Sequence, residues 1–307
     1  MQDTVVMSSV RRQRKVGIPR IILHIVLILT AAFTLLPVLL VVTSSFTHES
    51  DLFVSGYTYF PAQGFSFDAY REVFKNGTQL WHSYLVTITV TAIGTSAGLC
   101  CTLPLGYILT RKDFNLRRPL GFLVFFTMIF QPGLVPTYLM LVGWFHLLNN
   151  YIVLLLPGLC SGFLVLLSKG MMQSIPYEYI ESAKLDGAGE VKIFTSIVLP
   201  ISKAAVATVG LFIAIGCWND WMTSYLYMDI SHSHLFSLQY MLVQMQLDIT
   251  FLANMATQNI GVAIGEQPPL YTARMALCVL VTVPIICVYP FVQKYFQKGL
   301  TVGTLKG

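Results

Sequence analysis

Trp218, Trp221 and Tyr225 are the side chains best suited to handle a solute, because they recur at i, i+3 and i+7 and on a helix would share one face. Aromatic faces stack on the apolar faces of sugar rings, and the intervening Asn219 and Asp220 are of the type that hydrogen-bonds hydroxyls. The same cluster equally fits an interfacial belt, where Trp and Tyr gather at the edge of a membrane. Bond-breaking chemistry has no comparable candidate. The chain lacks a GxxxxGK(S/T) phosphate loop, an HExxH pair, and paired Asp or a Gly-x-Ser with a partner His within an apolar run. His232 and His234 form an HxH, too little for a metal site. Cys100, Cys101, Cys160, Cys217, Cys278 and Cys287 lie in or beside apolar stretches without CxxC spacing, so they read as structural.

The elements that must carry these residues are membrane spans. Of 307 residues, 55% are hydrophobic and 11% charged, which is too much apolar surface for one soluble core and too few charges to cover it. The net charge of +5 comes from short basic clusters at the edges of apolar runs, not from a stripe that would bind nucleic acid. Six stretches reach the roughly twenty residues that cross about 30 Å of hydrocarbon. They are 19–44, 82–110, 119–145, 151–173, 203–227 and 274–295. The first follows a basic segment (Arg11, Arg12, Arg14, Lys15, Arg20), as a signal peptide would. Its apolar run is too long for that and ends in no convincing cleavage pattern, so it reads as a retained span.

With the N-terminus in the cytoplasm, 16 of the 19 Lys and Arg fall inside and only Arg71, Lys75 and Arg274 fall outside, so both termini are expected to be cytoplasmic. External loops are then expected at about 45–80 and 228–272, with a short turn at Asn149 and Asn150. The two long loops hold Glu49, Asp51, Asp68, Glu72, Asp229, Asp248 and Glu266, and the second also holds Gln239, Gln244, Gln246 and Gln258. Asp220 and Arg274 are placed to pair across the outer edge of the spans, or to act as interfacial groups. Breakers recur within the spans at Pro37, Pro104, Pro132, Gly133, Pro136, Pro157, Pro284 and Pro290. Each marks either a wetted break or an ordinary kink. Gly94 and Gly98 form a GxxxG that admits a close helix neighbour.

Between the fourth and fifth spans, residues 174–200 read as two short helices about a turn. Pro176 suits a first helical turn, with Glu178 near its positive end. Tyr177, Ile180 and Lys184 share one side, with Glu181 beside them. Asp186-Gly187 is a turn signal, because glycine takes positive φ freely. Val191, Phe194, Ile197 and Val198 then point to one side of a second segment, and Pro200 marks the start of the fifth span. Such an insertion fits a lipid surface or the groove of a cytoplasmic partner equally well.

The residues Glu181-Ser-Ala183-x-x-Asp186-Gly187-Ala188, followed by Phe194, Ile197, Leu199 and Pro200, resemble the EAA loop of permease subunits in binding-protein-dependent ABC importers. Ser182 stands where Ala is usual, and Lys203-Ala204 replace a common proline. Further similarity lies in 128–138, 216–221, 289–299 and 305–307, and it points to the carbohydrate-uptake branch, with oligosaccharides, uronate-containing ones among them, as the nearest substrates.

The resemblance implies an all-α membrane protein with the type I ABC importer permease fold and six transmembrane helices, its N and C termini cytoplasmic. It divides the chain into a tail (1–17), a permease domain (18–297) and a second tail (298–307); Lys294, Lys298 and Lys306 at this end would touch the ATPase or serve as a positive-inside anchor. Implied partners are a second homologous permease, two ABC ATPase subunits, an extracytoplasmic solute-binding protein, the oligosaccharide and membrane lipid, without nucleic acid. ATP and Mg belong to the ATPase subunits, so this chain itself carries no cofactor. Glu181, Ala183, Asp186, Gly187, Ala188, Phe194, Leu199 and Pro200 become the coupling residues. An ion-gradient-driven secondary sugar transporter is the alternative, but it favours inverted repeats and midplane charges that these spans do not show.

Overall fold

The computed structural model describes residues 18–61, 64–75, 77–257 and 270–304, and every regular element among them is helical. The basic segment 11–15, Gln258, Glu266 and the terminal 305–307 lie outside the described residues. In chain order the segment after α1 (Ile18–Ser45) holds α2 (Glu49–Ser55) and α3 (Asp68–Lys75), and α4 (Gly77–Ile108) follows. Next come α5 (Arg117–Ile129), α6 (Leu134–Leu139), α7 (Gly162–Met172), α8 (Glu178–Leu185), α9 (Glu190–Ile193) and α10 (Leu199–Ile201). The chain continues through α11 (Lys203–Trp218), α12 (Met222–Tyr227), α13 (Leu238–Thr257) and α14 (Leu270–Thr304).

Three helices are long and apolar enough to cross a membrane, within α1, α4 and α14, and three bent helix pairs raise the number of candidate spans to as many as six. The breakers divide by position. Pro37, Pro104, Pro284 and Pro290 sit inside unbroken helices. Pro132 and Gly133, by contrast, coincide with a 112° bend between α5 and the helix that follows. Gly133 takes φ 86° there, a conformation with little cost for glycine alone. The third stretch is therefore not one helix from 119 to 145. The fourth is also bent, by 50°, between the 3₁₀ turns at Tyr151–Gly158 and α7.

α4 is the centre of the bundle, packing on α11 and α7. The GxxxG explains the closeness on one side: a β-carbon at Gly94 would lie 2.9 Å from Cys217 Sγ, and one at Gly98 would lie 3.0 Å from Ile213 Cδ1, both on α11. α1 lies along α14 and is exposed along most of its length. Its outward Ile, Leu and Phe side chains are a surface for lipid or another subunit, not for water.

Both long segments expected to be external contain helices among their described residues. The second contains α13, which packs on α14 and α4. Leu238, Met241, Leu242 and Met245 of α13 join the buried cluster of Ala273, Ala276 and Leu277. In the first, Glu49 receives the backbone N–H groups of Tyr271 and Thr272, each at 2.9 Å. A carboxylate thus sits on the positive start of α14. At the outer turn, Asn149 exchanges side-chain hydrogen bonds with Asp229, donating to its carboxylate at 2.7 Å and accepting its N–H at 2.9 Å.

Candidate functional site

Residues 174–200 form the two expected short helices. α8 carries Glu178 and Glu181 in its first turn and stops where Gly187 adopts φ 76°. The Gly187 N–H then reaches the Lys184 carbonyl at 3.0 Å, and the Ala188 N–H reaches the Ala183 carbonyl at 2.9 Å. These are the paired bonds of a Schellman ending. A β-carbon at Gly187 would meet nothing within 4 Å, so the requirement for glycine comes from the backbone and not from space. α9, a π-turn at Phe194–Val198 and α10 carry the chain onward, and the axis swings by 87° into α11. Leu199 and Pro200 thus close the segment.

Ile180, Ala183, Ile193 and Val198 are buried with Leu103, Tyr107 and Met172, while Ala188, Phe194 and Leu199 pack on their edge. The Phe194 ring lies 5.4 Å from that of Tyr107. Val191 departs from the expected apolar side. It is 77% exposed and Ile193 takes the inner position, because Glu190 must turn inward to reach an arginine. Glu181, Asp186, Gly187 and Pro200 face outward, as do Tyr179 and the 89% exposed Leu185.

That arginine is Arg111, three residues beyond α4, with its side chain only 6% exposed. It grips Asp113 through Nε at 2.8 Å and Nη2 at 2.5 Å, and Glu190 through Nη1 at 2.7 Å and Nη2 at 3.0 Å. Lys184 of α8 completes the cluster at 2.6 Å from Asp113 and 3.2 Å from Glu190. Hydrogen bonds from Arg111 first, then from Lys184, hold the Asp113 carboxyl well below the usual carboxylate range and lower that of Glu190, outweighing desolvation in each case. Bidentate pairs of this kind fix direction as well as distance. The cluster therefore locks both short helices to the inner end of α4. On sequence alone Arg111 counted only as a topology charge. Its partner on α9 lies 79 residues away, and no local spacing announces the contact.

The outer candidates are arranged differently from the expectation. α11 ends at Trp218, and Asp220 Oδ1 accepts the Thr223 N–H at 3.1 Å at the start of α12, so no single helix runs through both. Trp218, Trp221 and Tyr225 consequently do not share one helical face. Trp218 is half-buried and donates Nε1–H to the Val281 carbonyl at 3.2 Å. It lines a cavity of about 510 Å³ with Thr91 and Thr95, whose buried hydroxyls have no hydrogen-bond partner among the described residues. Trp221 and Tyr225 are exposed, their rings 6.0 Å apart, and the aromatic run continues to Tyr240 and Phe236. Neither of those two was singled out from sequence, although their i, i+4 spacing was visible. Asn219 accepts from Gln239 at 3.0 Å. Arg274 donates to Gln246, not to Asp220.

The described architecture is a bundle of broken helices in which residues 174–200 are clamped to the end of α4 through Arg111. The chain belongs to the family described as binding-protein-dependent transport system inner membrane component, whose model matches residues 102–302. It is 37% identical over 281 residues to the polygalacturonan/rhamnogalacturonan transport system permease protein YtcP of Bacillus subtilis (strain 168), covering 92% of this chain and 96% of that one. The melibiose/raffinose/stachyose import permease protein MelC of the same organism is 26% identical, covering 89% and 91%. A solved bacterial ABC transporter involved in import of the acidic polysaccharide alginate matches with TM-score 0.76 and 27% identity, over 92% of this chain and 98% of that chain.

The protein is accordingly a multi-pass permease subunit of the cytoplasmic membrane, in the carbohydrate-uptake branch of binding-protein-dependent ABC importers. It is a transport component and not an enzyme; in such systems ATP is handled by separate subunits. Membership excludes the ion-gradient alternative.

Proposed function

We propose that this chain forms half of the translocation pathway for an acidic oligosaccharide delivered by an extracytoplasmic binding protein, with residues 174–200 docking onto a separate ABC ATPase subunit and a second homologous permease completing the path. The carrying observation is the two-faced hairpin. Its inner face is clamped to Arg111, while Tyr179, Leu185 and Val191 stand uncovered beside Glu181 on its outer face. Exposed apolar groups on a short charged element fit a protein groove. Glu181, Asp186 and Gly187 then carry the displacement, with Ala183 and Ala188 as close-packing positions.

Both termini lie in the cytoplasm on this reading, supported by the 16 inner cations. Lys294 and Lys298 fall on the last helix, which runs to Thr304, past the boundary drawn at 297. On this reading that end of the helix is cytoplasmic, where these lysines would touch the ATPase or anchor the inner side. Substrate contact falls to Trp221 and Tyr225, with Asn219, Asp220 and Trp218 framing them. The acidic preference draws on the relatives' galacturonan and alginate substrates. It also draws on Arg274, whose guanidinium has no carboxylate within 4 Å among the described residues.

The test is the reconstituted complex of both permeases, ATPase and binding protein. Leu185→Asp should release the ATPase subunit on gel filtration, and oligogalacturonate-loaded binding protein should stimulate ATP hydrolysis more than protein loaded with neutral oligosaccharide. Retention of the ATPase by Leu185→Asp sinks the docking reading. Equal stimulation by both sugar classes sinks the acidic one.

A further inference from the structure

A second feature of the inner end has no part in that account. The inner ends of α4, α5 and α7 and the start of α8 enclose a cavity of about 650 Å³. Arg111, Lys112, Arg117, Arg118 and Lys169 line it, together with Tyr177 and Ile180 of the coupling segment. Arg111 is neutralised by Asp113 and Glu190, but the other four cations have no carboxylate within 4 Å among the described residues. Arg117 opens α5, so the positive end of that helix adds to the same field. A concave site with four unpaired cations is a poor arrangement unless an anion fills it.

The surroundings say which anion. Directly beyond Arg117 and Arg118, α5 presents Phe122 and Phe125 outward, the former 69% exposed, with Leu116 uncovered beside them. Charge in the cavity thus passes without interruption into an apolar, membrane-level face. A soluble phosphate would use the first and leave the second idle. A phospholipid would use both, its phosphate among the cations and its acyl chains along α5. We infer that this cavity is a binding site for the headgroup of an anionic phospholipid of the inner leaflet, and that the bound lipid abuts the coupling hairpin through Tyr177 and Ile180. Basic pockets between spans on the cytoplasmic side are the setting in which such headgroups bind. The leaflet rests on the orientation proposed above, whereas the binding itself does not.

Native mass spectrometry of the whole detergent-purified importer, titrated with cardiolipin, reads occupancy directly. The wild-type complex should retain added cardiolipin over added phosphatidylcholine. Lys169→Gln should weaken retention about fivefold, and the Arg117→Gln/Arg118→Gln/Lys169→Gln variant on the order of a hundredfold. Lys203→Gln, a cation outside the cavity, should leave it unchanged. The single variant carries the test if the triple one does not assemble. Unaltered retention by both variants, or an equal loss with Lys203→Gln, overturns the site. Displacement of nothing by lipid but a wild-type-specific thermal shift with inorganic phosphate makes it a soluble-phosphate site and also overturns the inference. So does loss of the ATPase subunit from the triple variant with lipid retention intact, which would make the cavity a protein dock. Labelling of a cysteine placed at the outer turn reads orientation separately, so failure of one reading is not mistaken for failure of the other.

Discussion

The two ends of this bundle hold their short helices by different means. At the inner end, α8 and α9 are bolted to α4 by two cations and two carboxylates converging within hydrogen-bond distance around a buried guanidinium. At the outer end, α12 and α13 have no ion pair among the described residues and are held by single hydrogen bonds and rings: Ser237 donates to the Asp220 carbonyl, Gln239 to Asn219, Arg274 to Gln246, and Tyr225 tilts against Tyr240. Charged bidentate links resist rotation and fix direction, whereas aromatic and amide contacts slide at little cost. A lever needs the first kind of joint and a path for a bulky, hydroxyl-rich solute needs the second. On the proposed function, force would belong to one end and accommodation to the other.

The sharpest way to break this contrast is Arg111→Ala. It leaves Glu190 and Asp113 with Lys184 alone between them, and because both carboxylates are partly exposed it should cost about 3 kcal/mol locally. Uptake should collapse while ATP hydrolysis continues without sugar, as measured by paired transport and ATPase assays. An unchanged ratio of sugar moved to ATP hydrolysed would mean the cluster is not the joint. Gly187→Pro comes next, at about 3 kcal/mol, since φ near −65° cannot replace 76°. Gly187→Ala should show only about 1–2 kcal/mol of the same defect, because space is free around it. Membrane insertion should be normal in both variants, and wild-type transport by the proline variant counts against the hairpin as a coupler.

At the outer end, alanine at both Trp221 and Tyr225 should lower uptake and alter sugar preference without raising sugar-free ATPase. A loss of coupling like that of Arg111→Ala would erase the distinction between the ends. Asp220→Ala should have a smaller effect, on the order of 1 kcal/mol, through loss of the bond to the Thr223 N–H.

The mildest probe is acid. Asp113 and Glu190 have lowered pKa values, so their contribution is fully present above the ordinary carboxylate range. It is lost only as pH falls below about 4. Coupling should therefore be flat from neutral pH down to about 5, and a drop between 7 and 6 would point to some other titrating group.

The hairpin was legible because its signals are local. Asp186-Gly187 announces a left-handed residue, and Ile180 on its expected side marks part of the buried face, although Lys184 on that side is exposed. The GxxxG was legible for the same reason, although its partner on α11 was not. What stayed hidden depends on distant or competing interactions. Eight breakers look alike in sequence, yet Pro132-Gly133 falls at a sharp bend and Pro284 does not. Asp220 could have continued a helix as a surface residue, but its carboxylate accepts the N–H of Thr223, five residues past the end of α11, and so starts a new one. α13 was read as loop because polar residues dilute it, although Leu238, Met241, Leu242, Met245 and Ile249 recur at helical spacing.

The carboxylate of Glu49 on the start of α14 bears on how the protein is made. Its partners lie 222 and 223 residues downstream. At about 5–20 residues per second of synthesis, Glu49 must wait roughly ten to forty seconds for them to emerge. Throughout that interval the first helix has already been delivered to the bilayer without its main intramolecular neighbour. The bundle is closed by its last segment, so the half-made chain depends on lipid, insertion machinery or the sister permease to cover α1.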